Sequence, residues 1–304
     1  MRTPRVLGLG MALLVLFGAC STGGGSSAAP KPTIRIGSDN FYESKLMGEI
    51  YAQALEANGY TVERKFGLGS RQERIPAMDA GQIDMVAEYV GSGLGFYDKS
   101  KISGDGAANA KALAEVLKPK GISVLGITPG EDTNAFVVRK DTAESLKLTK
   151  LSDLAAVQDQ LKWGLPSDCD TNPLCAGALK DYGINYPPKQ RSALGACDVP
   201  MAQALQGKAI DVAELCSTQP AIAQFGFVVL EDDKKTQPAE NIAPIVRDDY
   251  LAKVDKAAFQ KILDDVSAKV TTEELTKLGV LVAVDNKDVA EVAKTWLKEQ
   301  GLVK

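Results

Sequence analysis

Two segments of this chain, far apart in sequence, repeat the same local pattern, and that repetition constrains the architecture more than any other feature. Residues 77–89, Ala-Met-Asp-Ala-Gly-Gln-Ile-Asp-Met-Val-Ala-Glu-Tyr, are echoed by residues 204–215, Ala-Leu-Gln-Gly-Lys-Ala-Ile-Asp-Val-Ala-Glu-Leu. In each, a helix end passes through glycine into Ile-Asp, then a buried strand closing on Ala-Glu. One residue of spacing between Gly and Ile differs between the copies. A repeat of this kind predicts two lobes of similar build. Ligands of open α/β sheets bind outside the carboxyl ends of the strands, so residues 89–92 and 216–218 are expected to face each other across a cleft.

From Thr33 onward, short β-branched runs alternate with amphipathic stretches, the mark of an α/β protein with largely parallel sheets. The pattern predicts strands over 33–37, 61–66 and 83–87, an extended segment over 122–125, and helices over 43–58, 71–80 and 107–118. In the first helix Leu46, Met47, Ile50, Tyr51, Ala54 and Leu55 share one face, and Gly59 ends it. Ser70 and Glu73 are placed to form a capping box on the second. Trp163 and Trp296 read as core anchors, and the charged run 231–235 as a solvated turn or a contact for a partner protein.

The amino terminus carries an export signal: Arg2 and Arg5 precede an apolar run from Val6 to Ala19, too short to span a bilayer, where about 20 residues are needed. Leu16-Phe17-Gly18-Ala19-Cys20 is similar to a bacterial lipobox, with Phe17 where Leu is usual. The resemblance implies cleavage after residue 19 and lipidation of Cys20; ordinary secretion is the alternative. After Cys20, residues 21–32 are mostly Gly, Ser, Ala and Pro with almost no apolar bulk, so 20–32 has the composition of a flexible tether.

The sequence contains no histidine. That removes the commonest general base and metal ligand, makes a Ser-His-Asp triad impossible and disfavours an enzyme. A net charge of −4 supplies no basic field for nucleic acid. Beyond Cys20 stand Cys169, Cys175, Cys197 and Cys216, which allow three disulfide pairings in an exported protein. We prefer Cys169 with Cys175, closing a short loop, and Cys197 with Cys216, joining the ends of neighbouring strands. Zinc is the weaker reading because no Cys-x-x-Cys spacing occurs, and no metal or cofactor is expected. Asp84 and Asp211, on the echoed strands, lack an acid-base partner and read as structural.

The runs Ile36-Gly37-Ser38-Asp39-Asn40-Phe41-Tyr42-Glu43-Ser44, Ile50 to Glu56, Glu88-Tyr89-Val90-Gly91, Val228 to Asp233 and Thr271-Thr272-Glu273-Glu274-Leu275 resemble the osmoprotectant-binding lipoproteins of glycine betaine, choline and carnitine ABC importers, over essentially all of residues 33–304. The resemblance implies a two-lobed periplasmic-binding-protein fold of type II, extracytoplasmic and monomeric, that closes on a small solute and hands it to permease subunits. It implies one discontinuous lobe, 33–131 plus 218–304, with 132–217 as the second lobe and hinges near 133–138 and 217–219.

This family holds a quaternary ammonium in a tyrosine cage and a carboxylate with basic and hydroxyl groups. Tyr89 matches a cage tyrosine, and Ser92 stands where a carboxylate-binding Thr is common. Elsewhere the chain departs: Asp39 replaces Lys, Asn134 follows Thr133 where a cage Tyr is usual, Cys216 replaces the aromatic before Ser217 and Thr218, and Asn172 stands before Pro173 in place of Arg. Two readings follow. Either Phe41, Tyr42, Phe96 or Tyr97 refills the cage and an osmolyte is bound, or Asp39 and Asn134 serve a rebuilt pocket for a polyol, phenolic or cationic compound. Asp39, Phe41, Tyr89, Ser92, Thr133, Asn134, Asn172, Cys216 and Ser217 are the candidate ligand contacts. A ligand-binding sensory module or an extracellular enzyme on the same fold is a further alternative.

Overall fold

A computed structural model describes residues 31–304; the export signal and Cys20 lie outside them. Ten strands form two five-stranded sheets. The first contains β1 (Ile34–Gly37), β2 (Val62–Lys65), β3 (Met85–Tyr89), β4 (Ile122–Val124) and β10 (Ile242–Arg247), and the second β5 (Asn134–Val138), β6 (Trp163–Pro166), β7 (Arg191–Leu194), β8 (Val212–Cys216) and β9 (Val228–Val229). Their orders are β2-β1-β3-β10-β4 and β7-β6-β8-β5-β9. The two are the same arrangement. In each, three strands run parallel on one side, and on the other the strand that has just crossed between lobes, β10 or β5, pairs antiparallel with both neighbours. Each sheet is thus largely parallel, with the single crossing strand running against the other four.

The two central strands, β3 and β8, are buried at every residue. Apolar clusters cover both faces of each sheet, which is why both strands read as nearly continuous apolar runs. The helices α1 (Tyr42–Ala57), α2 (Arg71–Asp79), α3 (Val90–Asp98) and α4 (Gly106–Leu117) serve the first sheet. In α1 the six residues expected on one face are all buried, and Gly59, at φ 77°, ends the segment. Trp163 and Trp296 are buried core residues. Among the described residues no helix is long and apolar enough to cross a membrane.

The repeat extends to individual hydrogen bonds. Asp84 N–H donates to the Arg35 carbonyl and Asp211 N–H to the Lys162 carbonyl, both at 2.7 Å. Each aspartate accepts back from the same residue's amide, Arg35 N at 2.8 Å and Lys162 N at 3.0 Å. Asp84 also takes the Arg35 guanidinium, and Asp211 that of Arg139, so both aspartates pin strand to strand. The helix exits match too, but the glycines do not align. Gly81 takes the left-handed conformation at φ 66°, and its counterpart is Lys208 at φ 63°, one residue after Gly207. The differing Gly-to-Ile spacing is thus no insertion; the second copy adopts the same turn with a lysine.

The chain crosses once at 131–133 and returns near 237–241, where the segments run side by side: Glu131 bridges Asn241, and Asp132 N–H donates to the Glu240 carbonyl at 3.1 Å. The return was expected at 217–219. Instead the chain goes back to the second sheet for β9, which pairs with β5 and covers its otherwise open edge. Residues 218–235 thus stay with the second lobe, and the 133–138 hinge is itself mostly strand β5. The charged run 231–235 is held rather than merely solvated, because Asp232 accepts from the Tyr182 hydroxyl at 2.5 Å and Asp233 from Ser152 Oγ at 2.6 Å. Disulfides join Cys169 to Cys175 and Cys197 to Cys216.

Left-handed backbone costs an L-residue roughly 1–2 kcal/mol, and glycine almost nothing. Gly81→Ala is therefore expected to lower unfolding stability by about 1 kcal/mol in urea melts, while Lys208→Gly leaves it unchanged or raises it. Equal losses in both variants would contradict the structural equivalence of the two turns.

Candidate functional site

A cleft of about 290 Å³ lies between the two sheets, its walls built from the carboxyl ends of β3 and β8 and the loops beside them. Of the expected contacts, Asp39, Phe41, Tyr89, Ser92, Asn134, Asn172 and Cys216 line it. Thr133 and Ser217 do not. They face the crossover instead, where Ser217 N–H donates to the Thr133 carbonyl at 2.8 Å and Thr133 N–H to Ser217 Oγ at 3.0 Å. Tyr42, Phe96 and Tyr97 are also absent from the wall, so Phe41 is the aromatic that accompanies Tyr89, with ring centres 5.8 Å apart and planes inclined at 41°.

Several residues have their polar groups committed elsewhere. Asp39 accepts from Arg74 Nε at 2.6 Å, so it is an ion-pair partner rather than a free acceptor. Ser92 Oγ donates to Glu240, whose carboxylate also takes Gly91 N–H, and burial pushes that acid up to about 7. Asn172 Oδ1 caps the next turn through Leu174 N–H at 2.9 Å, and Asn134 Nδ2 reaches Gln237 at 3.4 Å. Cys216 contributes a disulfide sulfur, not a thiol. The sulfurs beside Asp132 and Glu214 belong to the two disulfides, so no thiolate is available there for a metal.

Behind the wall, the start of α2 supplies two arginines. Ser70 N–H donates to Glu73 Oε2 at 2.6 Å, the backward half of the expected capping box. The helix then aims Arg71 and Arg74 at Glu88, with contacts of 2.7 and 2.8 Å, and Arg74 also holds Asp39. Burial alone would raise the Glu88 acid, but the two guanidiniums overcome it and hold it down to about 2.

Beneath Tyr89 lies a second buried network. The Tyr89 hydroxyl donates to Glu43 Oε1 at 2.7 Å, and Thr218 Oγ lies 2.8 Å from both Glu43 Oε2 and Asp132 Oδ1. A hydroxyl has one proton to donate, so both contacts can be hydrogen bonds only if one of the acids carries a proton. Burial raises Glu43 far above the usual carboxylate range, with Asp132's charge adding to it, and burial raises Asp132 as well. This network ties α1 to both 132 and 218, so the aromatic wall and the crossover are mechanically one piece.

Sequence reasoning missed Arg71, Asp132, Asp168, Asp198 and Glu214, which all line the cleft. The echo carried the signal for Glu214, because Glu88 marks the same position in the first copy. Across the cleft, Gln72 Nε2 donates to Thr171 Oγ at 2.5 Å, and Lys99 pairs with Asp181 at 3.2 Å.

Removing one partner of a buried ion pair costs about 3–5 kcal/mol. Glu88→Gln should therefore destabilise the protein by several kcal/mol. Because the folded acid titrates near 2, below its unfolded value, its contribution is complete above about pH 4.5 and lost as pH falls toward 2. Acid unfolding curves should show a shallower loss over that window in Glu88→Gln than in the wild type; identical acid limbs would show that Glu88 is not held ionised by the arginines.

The comparisons with known proteins agree with this geometry. Residues 32–299 match the model of the substrate binding domain of ABC-type glycine betaine transport systems. The glycine-betaine-binding protein of Pseudomonas aeruginosa is 27% identical over 296 residues, spanning 94% of this chain and 93% of the relative. The glycine betaine-binding protein YehZ of Escherichia coli is 28% identical over 282 residues, 89% of this chain and 92% of the relative. A solved glycine betaine/carnitine/choline ABC transporter structure superposes with a TM-score of 0.67 at 23% identity, covering 90% of this chain and 99% of that one. The chain therefore belongs to the substrate-binding domains of ABC-type glycine betaine transport systems, a family of extracytoplasmic binding proteins rather than enzymes.

Proposed function

We propose that this protein captures a small quaternary-ammonium solute of the betaine and choline class between its lobes and presents it to the permease of an ABC importer. The observation that carries the reading is the Phe41–Tyr89 ring pair set among buried carboxyl groups. A cation over a ring face gains roughly 0.5–2 kcal/mol, and carboxylates around it add Coulomb attraction in a site shielded from water. The Tyr89 hydroxyl is already bonded to Glu43, which fixes the ring and leaves its face to the ligand. Tyr89 and Phe41 are the ligand contacts in this reading, with Asp39, Asn134, Asn172, Ser92 and Cys216 shaping the wall.

Closure follows from the same geometry. A solute that touches both lobes binds the closed form better than the open one and shifts the population toward it. The closed surface is then what the permease recognises. The protein acts as a monomer held at the membrane by lipid on Cys20, where two or more acyl chains, at about 0.8 kcal/mol per buried methylene, give a stable anchor.

Phe41→Leu keeps the bulk and removes the π face, and is expected to weaken binding of a quaternary-ammonium ligand about tenfold by calorimetry. An unchanged affinity would remove the aromatic seat from the reading. Cys20→Ala should move the protein from the membrane fraction to the soluble exported fraction; a protein equally membrane-bound without Cys20 is not anchored there.

A further inference from the structure

The echoed strands carry a glutamate near their carboxyl ends in both lobes, but only one of the two is neutralised. Glu88 meets two arginines. Glu214, its counterpart on β8, is 3% exposed, and its Oε2 has no hydrogen-bond partner. Glu214 lines the cleft, as does Asp132, whose carboxyl group is instead joined to Thr218 and Glu43. A buried carboxyl group without a donor loses its hydration and gains nothing in return, so it stays protonated to a higher pH or is completed by a donor that a ligand brings into the cleft.

The remaining charges reinforce the imbalance. Asp39, Glu73, Asp132, Asp168, Asp198 and Glu214 line the cleft against one guanidinium, Arg71. Arg74 takes Asp39, and Glu73 is spent on the Ser70 amide. Arg71 gives Nε and Nη2 to Glu88, and its charge also reaches Asp168 across the cleft. Asp168 in turn acts on Glu214, and burial together with that neighbouring charge pushes the Glu214 acid up to about 8. The direction is opposite to that at Glu88 and reports the missing cation.

We propose that Glu214 is a specificity-determining residue, selecting a solute with a cationic head and a hydrogen-bond donor at its other end over one that ends in a carboxylate. The head sits at Phe41 and Tyr89 with Asp132 beside it, and the donor completes Glu214. Above about pH 8, where Glu214 is ionised, a ligand carboxylate in that second position meets the Asp168 and Glu214 charges together and is repelled. This inference rests on the reading of the aromatic pair as the ammonium seat and adds to it the chemistry required at the other end.

Choline and glycine betaine share the trimethylammonium head and differ in ending on a hydroxyl or a carboxylate, so they isolate the question. Calorimetry at pH 8.5 with the wild-type protein should give choline at least about tenfold tighter binding than glycine betaine. In Glu214→Gln, which keeps the shape and removes the charge, the preference should shrink to about threefold or less. Glycine betaine binding as tightly as choline to the wild type, or a preference unchanged in Glu214→Gln, overturns the assignment of Glu214 while leaving the ammonium seat standing. If neither compound binds at millimolar concentration, the seat itself fails and the inference with it. Should Glu214→Gln not give a cooperative thermal transition, Asp168→Asn carries the same expectation, because it removes the neighbouring charge that opposes a carboxylate.

Discussion

Taking a carboxylate out of water costs several kcal/mol unless a cation or a set of donors replaces the lost hydration, and this structure depends on how that cost is met at the ends of its two central strands. At β3 it is met from within: Glu88 is held by Arg71 and Arg74, and Arg74 carries Asp39 as well. The first lobe thereby becomes a rigid, charge-balanced floor. At β8 no arginine among the described residues meets Glu214, which lines the cleft with its Oε2 sealed and without a hydrogen-bond partner. One half of the repeat is finished by folding. The other is left open to whatever enters between the lobes.

The crossover shows the same economy of means. Two chain segments pass between the sheets side by side, joined by the Glu131–Asn241 bridge and by backbone bonds between 132 and 240. Glu43, Thr218 and Asp132 then tie that pair to the helix that follows β1 and to the Tyr89 hydroxyl. A movement of the second lobe therefore pulls on the residue that lines the aromatic wall. The acids of this knot are buried and share hydroxyl partners, so they form one hydrogen-bond network.

Some of this was readable from the chain. The alternation of apolar runs and amphipathic segments gave most early elements to within a residue or two, because both signals arise from local sterics and from which face must be buried. The echo at Ile83-Asp84 and Ile210-Asp211 pointed to two lobes, and the structure carries it down to matched backbone bonds. Its register was misread at Gly207, since glycine is only the easiest residue to place in a left-handed turn and Lys208 takes that position at a cost. The β9 return was missed because a strand of two residues has no periodicity to detect.

At the cleft the division is sharper. The sequence by itself determined the repeat, the absence of histidine chemistry, the aromatic Tyr89 at a strand end and the residues that carry the family resemblance, because these depend on residue type and local order. Which charges are neutralised was decided only by tertiary structure. Asp39 reads as a free acceptor until α2 brings Arg74 within 2.6 Å, and Glu88 and Glu214 are indistinguishable as letters in two copies of one motif. Their difference lies in what another element places against them, and a carboxylate's state is set by groups near in space, however far away in the chain.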